Sequence, residues 1–284
     1  NLTSIDKNMR PEYLFSADSE GSPYISLEGA DYEGEIEKEL ILRKSYRCAQ
    51  EVLMLAHGIG LGLYNRKGGC VQMLDDAASW DAIGYSLEAG TLQKDAQIVL
   101  YRDPENSPNR IRQIYRGDQP LVSTQVFETR DQELDWIASQ IHDDLVQGVQ
   151  PDQIIVIYLD SRLAKAPLSS LQVKLLSQFS IPSSIPGLVN DASAFMEKGK
   201  VTLSAVFRAK GNEAYIVYVC GFESLYDYVE AVENRNRAFT AITRSKAWVR
   251  ISGIGKNMEI AKKEINTILA DVPRFKFKFP DMAV

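Results

Sequence analysis

The sequence is short of the residues from which disulfide frameworks and metal centres are built: it has three cysteines and two histidines in 284 residues. Cys48, Cys70 and Cys220 are odd in number and far apart, which argues against a disulfide scaffold or a zinc knuckle and fits a reducing compartment. His57 and His142 have no ligand-type neighbour at helical spacing, so both read as structural and no metal site is expected. No apolar run approaches the roughly 20 residues of a membrane helix, and no basic-then-apolar leader opens the chain. A cytoplasmic protein with no membrane partner is therefore expected. Basic residues are not in excess either: 32 Lys and Arg against 38 Asp and Glu give a net charge of -6. That excludes a broadly basic nucleic-acid coat but leaves room for a local basic groove on an acidic body.

What is present is the composition of a globular protein, 45% hydrophobic and 25% charged, with enough length to bury a sizeable core. Residues 1–36 are polar, lack sustained periodicity and read as an irregular lead-in or linker. Residues 37–284 read as one α/β domain interrupted by a small α+β insertion at about 66–120. Leu40-Ile41-Leu42 looks like a short strand. Val52, Ala56, Ile59 and Leu63 predict a helix over 49–63. The glycines Gly58, Gly60 and Gly62 follow a helical pattern, not a strand, so they read as helix termination and not as a dinucleotide loop.

Beyond the insertion, strands and helices alternate. A strand at Leu121–Phe127 precedes a helix over 131–146, and the run Ile154 to Leu159 is continuously apolar, as in a strand covered on both faces. A helix over 167–179 and a connector over 187–200 follow. This order predicts a mostly parallel sheet with right-handed crossovers and helices on both faces. The end of the chain predicts a helix over 257–269 and a final strand with one buried face over 274–279. Two weaker alternatives are an anion site at Gly253-Ile254-Gly255-Lys256 and a nucleic-acid surface on the basic and aromatic residues Arg274 to Phe279.

Charged residues gather where buried elements end, which is where α/β sheets place ligands. Arg237, Thr240 and Arg244 share one helix face, with Val232, Ala238, Phe239 and Ile242 opposite. This face reads either as a solvated surface or as a phosphate-facing one. Lys210-Gly211-Asn212-Glu213 joins two strands, Gly211 allowing a tight backbone approach. It reads either as a turn with a surface ion pair or as a carboxylate, kept ionised by Lys210, that accepts two ribose hydroxyls. Tyr46-Arg47 offers a ring for stacking beside a guanidinium for phosphate, unless the ring is core and the arginine surface.

Taken in order, Tyr46-Arg47 before a helix, AKGNEA and FTAITRSK resemble motifs IV, V and VI of the superfamily 1 helicases of the UvrD/Rep kind. The stretches TRDQELDWIASQI, PDQIIVIYLD and LSQFSIP are similar to the rest of their second RecA-like domain. The resemblance implies a RecA-like fold and an ATP-dependent helicase or translocase acting on single-stranded DNA or RNA. It also implies that Tyr46 stacks on adenine, that Arg47 and Arg244 contact the γ-phosphate as catalytic arginines, and that Glu213 holds the ribose. Lys210, Gly211, Arg237 and Thr243 would lie about the nucleotide. Ser204, on the strand entering motif V, would face nucleic acid.

Ala205-Val206-Phe207 stands where the family carries Thr-x-His, so Phe207 would stack on a base instead and Arg208 would meet a phosphate. The short 187–200 connector replaces a large insertion found in many relatives. No GxxxxGK[ST] run occurs, and no Asp-Glu pair ends an apolar strand. ATP hydrolysis by this chain alone is therefore not expected. The phosphate loop and the Mg²⁺ ligands are expected from an upstream RecA-like domain. The alternative is a non-catalytic RecA-like module that binds nucleic acid or protein.

Overall fold

The computed structural model describes residues 43–67, 69–109, 111, 119–187, 194–226 and 231–281, all within the compact unit Leu42–Val284. The lead-in and the expected strand at Leu40–Leu42 lie outside the described residues. In chain order the elements are α1 (Gln50–Leu61), α2 (Ala77–Ala82), β1 (Tyr85–Ala89), β2 (Gln97–Arg102), β3 (Val122–Phe127), α3 (Arg130–Val146) and β4 (Ile154–Tyr158). They continue with α4 (Lys165–Phe179), β5 (Ser183–Ser184), β6 (Val201–Ala205), β7 (Ala214–Cys220), α5 (Ala231–Ile242), β8 (Ser245–Ile254), α6 (Gly255–Asp271) and β9 (Arg274–Lys278).

Six strands form one sheet in the order β3-β8-β7-β4-β6-β5, every pairing parallel. Strand β4 lies inside the sheet with all five residues buried, which is what its unbroken apolar run predicts. Its alternate side chains serve two cores. Ile155 and Ile157 join α1, α5 and α6 on one face, while Ile154 and Val156 join α3 and α4 on the other. A parallel sheet covered on both sides is the RecA-like architecture expected from the sequence.

Local chemistry sets the helix ends. Helix α3 starts with a capping box, the Thr129 hydroxyl accepting from the Gln132 N–H and the Gln132 side chain accepting from the Thr129 N–H. Helix α1 stops at Gly62, whose φ of 69° is the left-handed conformation that glycine adopts without strain. Gly60 serves a different purpose: a Cβ there would lie 3.2 Å from Phe239 Cβ, so its absence lets α5 approach α1.

The 66–120 segment builds a second, antiparallel sheet, β1-β2-β9. The final strand therefore pairs with this segment, Leu100 facing Phe275, and not with the parallel sheet. It has the expected single buried face: Phe275 and Phe277 are in the core, joined there by Trp80, Tyr85, Ile98 and Leu100. His57 donates to or accepts from the Tyr85 hydroxyl at 2.8 Å and stacks on Phe239, and His142 stacks on Phe179. Both histidines thus have structural surroundings.

Candidate nucleotide-binding site

The three sequence segments that carry the resemblance meet at the end of the parallel sheet where β7 and β8 begin. Arg47 Nε lies 2.5 Å from Glu213 Oε2, and Lys246 Nζ lies 3.0 Å from Glu213 Oε1. One carboxylate is thus shared by two cations, one on each oxygen. Burial alone raises the pKa of Glu213, but Lys246 and Arg47 outweigh it and hold the carboxyl below its usual value. Lys210, expected to fill that role, is exposed and is not among the ion-pair partners of Glu213. The strand order decides this: Lys246 sits at the start of β8, which pairs with β7, whereas Lys210 lies on the exposed loop before β7.

Arg244, just past the end of α5, reaches the backbone next to Glu213. Its Nε donates to the Thr240 carbonyl at 2.9 Å, one Nη to the Thr243 hydroxyl at 3.2 Å, and the other to the Asn212 carbonyl at 3.5 Å. A cation at a helix C-terminus is favourably placed against the unsatisfied carbonyls. Among the described residues no carboxylate lies within ion-pair distance of Arg244. Burial first, then the charge of nearby Arg47, lower its pKa. Around Glu213 there are thus three cations and one carboxylate, an excess suited to a polyanion.

The cleft beside this cluster has a volume of about 640 Å³ and is lined by Tyr46, Arg47, Pro108, Asn109, Ile111, Glu213, Tyr215 and Lys246. Tyr46 is 72% exposed, so its ring is open for stacking. Gly211 has φ of 89° with nothing within 4 Å of a built Cβ. Glycine is therefore needed there for backbone conformation, not for a close approach by another part of the chain. The Thr243 hydroxyl donates back to the Phe239 and Thr240 carbonyls, shaping the helix end that carries Arg244.

Two expected faces are corrected. On α5, Arg237 pairs with Glu233 and lies over the ring of Phe207, 5.3 Å from its centroid. It therefore extends towards the end of β6 and not into the Glu213 cleft. Val232, expected on the packed face, is 46% exposed, and Arg235 occupies that face instead, with only 1% exposed. The helical spacing Arg235, Ala238, Ile242 carried this signal; an arginine on an apolar stripe invites a search for a buried carboxylate, which is Glu264.

At the end of β6, Phe207 and Arg208 are exposed, and the Arg208 guanidinium lies over Gly187. Ser204 differs from the expectation. It is buried and its hydroxyl donates to the Ala205 carbonyl, so it offers no group to a ligand on the surface. At Gly253–Lys256 the strand ends at Ile254, and Glu223 accepts from the Ile254 N–H. A carboxylate thus occupies the place proposed for an anion.

Sequence reasoning missed Asn109, Tyr215 and Lys246. The Asn109 amide nitrogen donates to the carbonyls of Arg47 and Lys246, and its oxygen accepts from the Ile111 N–H. A residue of the 66–120 segment thus ties together the two segments that supply cations. In the sequence, Pro104, Asn106, Ser107, Pro108 and Asn109 mark only a turn.

No protein-family profile matches the chain, and no curated protein matches it. Among solved structures it is similar to the C-terminal domain of a possible DNA helicase from Lactobacillus plantarum WCFS1, at 16% identity and a TM-score of 0.38, over 48% of this chain and 76% of that one.

Proposed function

We propose that this chain is the second motor domain of an ATP-dependent superfamily 1 helicase or translocase, forming one wall of an ATP cleft and part of a single-stranded DNA or RNA track. The observation that carries the reading is that Tyr46-Arg47 and Glu213, far apart in sequence, line one cleft, while Arg244, without a carboxylate partner among the described residues, donates to the Asn212 carbonyl next to Glu213.

In this reading Tyr46 stacks on the base and Glu213 exchanges its cation partners for ribose hydroxyls. Arg47 and Arg244 stabilise the charge that develops on the transferred phosphoryl group. Arg244 suits that role because its guanidinium is anchored by carbonyls and a hydroxyl, which leaves its charge uncompensated by a carboxylate. ATP supplies the phosphoryl group. Mg²⁺ ligands are assigned to an upstream RecA-like domain, since the cleft offers a single carboxylate, already flanked by cations. Phe207 and Arg208 are assigned to single-stranded nucleic acid, by stacking and phosphate contact respectively. Ser204, being buried, is not.

The test is nucleic-acid-stimulated ATP hydrolysis by the full-length protein that contains this chain. An arginine finger contributes roughly 10³-fold or more to kcat, so Arg244→Ala should reduce turnover by that order while ATP still binds. Undiminished turnover would remove the assignment. If the full-length protein proves to have no phosphate loop, the non-catalytic module takes its place.

A further inference from the structure

We infer that Tyr215 and Lys246 form a second base-recognition face in the same cleft, one that takes the nucleobase of the bound nucleotide. The inference rests on the nucleotide reading and adds to it a specificity-determining residue outside the three motifs.

Strand β7 is buried at every position except Tyr215, which is 45% exposed. An aromatic ring held open to solvent in an otherwise buried strand has no packing role to explain it. The neighbouring strand is distorted at the same point. Ala214 pairs with Ser245 and Ile216 with Trp248, so a single residue, Tyr215, stands opposite two residues of β8, Lys246 and Ala247. Such a bulge re-aims a side chain, and bulges are frequent beside functional sites.

The bulge is held by one hydroxyl: Ser245 Oγ accepts from the Ala247 N–H at 3.1 Å and donates to the Trp248 carbonyl at 3.0 Å. Its result is that Lys246 Nζ reaches both the Glu213 carboxylate and a point 5.4 Å from the centroid of the Tyr215 ring. Pro108 and Ile111 add apolar surface to the same cleft. Next to a cation-rich phosphate side, an open ring with an ammonium beside it and apolar flanks suits a flat, polar, aromatic ligand part.

The test uses the full-length protein that contains this chain, titrated with three probes, ATP, adenosine and tripolyphosphate, by ligand-observed NMR. Base stacking on an aromatic side chain is typically worth tenfold or more in affinity. Tyr215→Ala should therefore weaken ATP and adenosine about tenfold and leave tripolyphosphate unchanged, whereas Tyr215→Phe should bind all three as before. Tyr215→Leu, better suited to a strand, replaces the alanine variant if that one fails to fold, with the same expected losses. Arg47→Ala should show the reverse pattern, weakening ATP and tripolyphosphate but not adenosine.

If the non-aromatic variant binds ATP and adenosine normally while Arg47→Ala weakens ATP, the base face is wrong and the nucleotide site stands. If it weakens tripolyphosphate as much as adenosine, the ring supports the cleft generally and the base face is again wrong. If ATP does not bind, or Arg47→Ala leaves it unaffected, the nucleotide reading itself falls and takes the base face with it.

Discussion

Arg235 holds α5 in place through a buried ion pair with Glu264. Arg235 is 1% exposed and Glu264 is fully buried. The two side chains meet at 2.5 Å, Arg235 also donates to the Ile59 carbonyl at 2.9 Å, and the Tyr226 hydroxyl donates to Glu264. A single buried pair thus joins α1, α5, α6 and the turn at Phe222–Tyr226. Glu264→Gln keeps the shape but leaves a guanidinium buried without a counter-charge, which costs about 3–5 kcal/mol. Against a total stability of about 5–15 kcal/mol this is a large fraction. With a urea slope near 3 kcal/mol/M, the unfolding midpoint should fall by about 1–1.7 M. Far-UV circular dichroism of urea-treated samples measures it. Replacing both partners, Arg235→Met with Glu264→Leu, removes the uncompensated charge and should restore most of the loss. A fall of under about 0.3 M for Glu264→Gln, or a double variant no more stable than the single, would refute the reasoning.

Two further outcomes follow from other parts of the molecule. Burial first, then the charge of Arg102, push the pKa of His57 down to about 3 from 6.5. Between those values the unfolded chain binds the proton and the folded one does not, so stability should be lost as pH falls below 6.5, at up to about 1.4 kcal/mol per pH unit. Urea unfolding at pH 7, 6 and 5 measures this slope, and His57→Phe, which keeps a ring against Phe239, should flatten it. Asn109→Ala removes the link between the Arg47 and Lys246 carbonyls. It should cost about 1–3 kcal/mol and weaken ATP binding, while Asn109→Asp, which lacks the donor, should fail to rescue either. A calorimetric titration beside a melting curve separates the two effects.

The parallel sheet was legible because its signals are local. Ile154 to Leu159 is too apolar for a half-exposed strand, and the alternation of strands and helices leaves a parallel sheet as the simplest arrangement. Arg244 was legible because helical spacing places it at the end of α5. What escaped depends on pairings that sequence order conceals. The small sheet forms only because β9 returns to β2, and no pattern in either strand names the other. Lys246 reaches Glu213 through a bulge whose register is set between two strands, so the nearer Lys210 looked like the partner. Asn109 acts through two carbonyls, and backbone groups leave no trace in a side-chain pattern. Arg235 was readable from its spacing alone, but its partner Glu264 lies on a helix that only the fold brings near.

The central claim is that Arg47 and Arg244, from opposite ends of the chain, act on one phosphoryl group. The direct measurement is the nucleic-acid-stimulated kcat of the full-length protein as Arg47→Ala, Arg244→Ala and the double variant. Residues that act as a unit are strongly non-additive, so each single variant should lose roughly 10³-fold or more, and the double little beyond the worse single. Losses that simply multiply, or single variants with the turnover of the unaltered protein, would contradict the account.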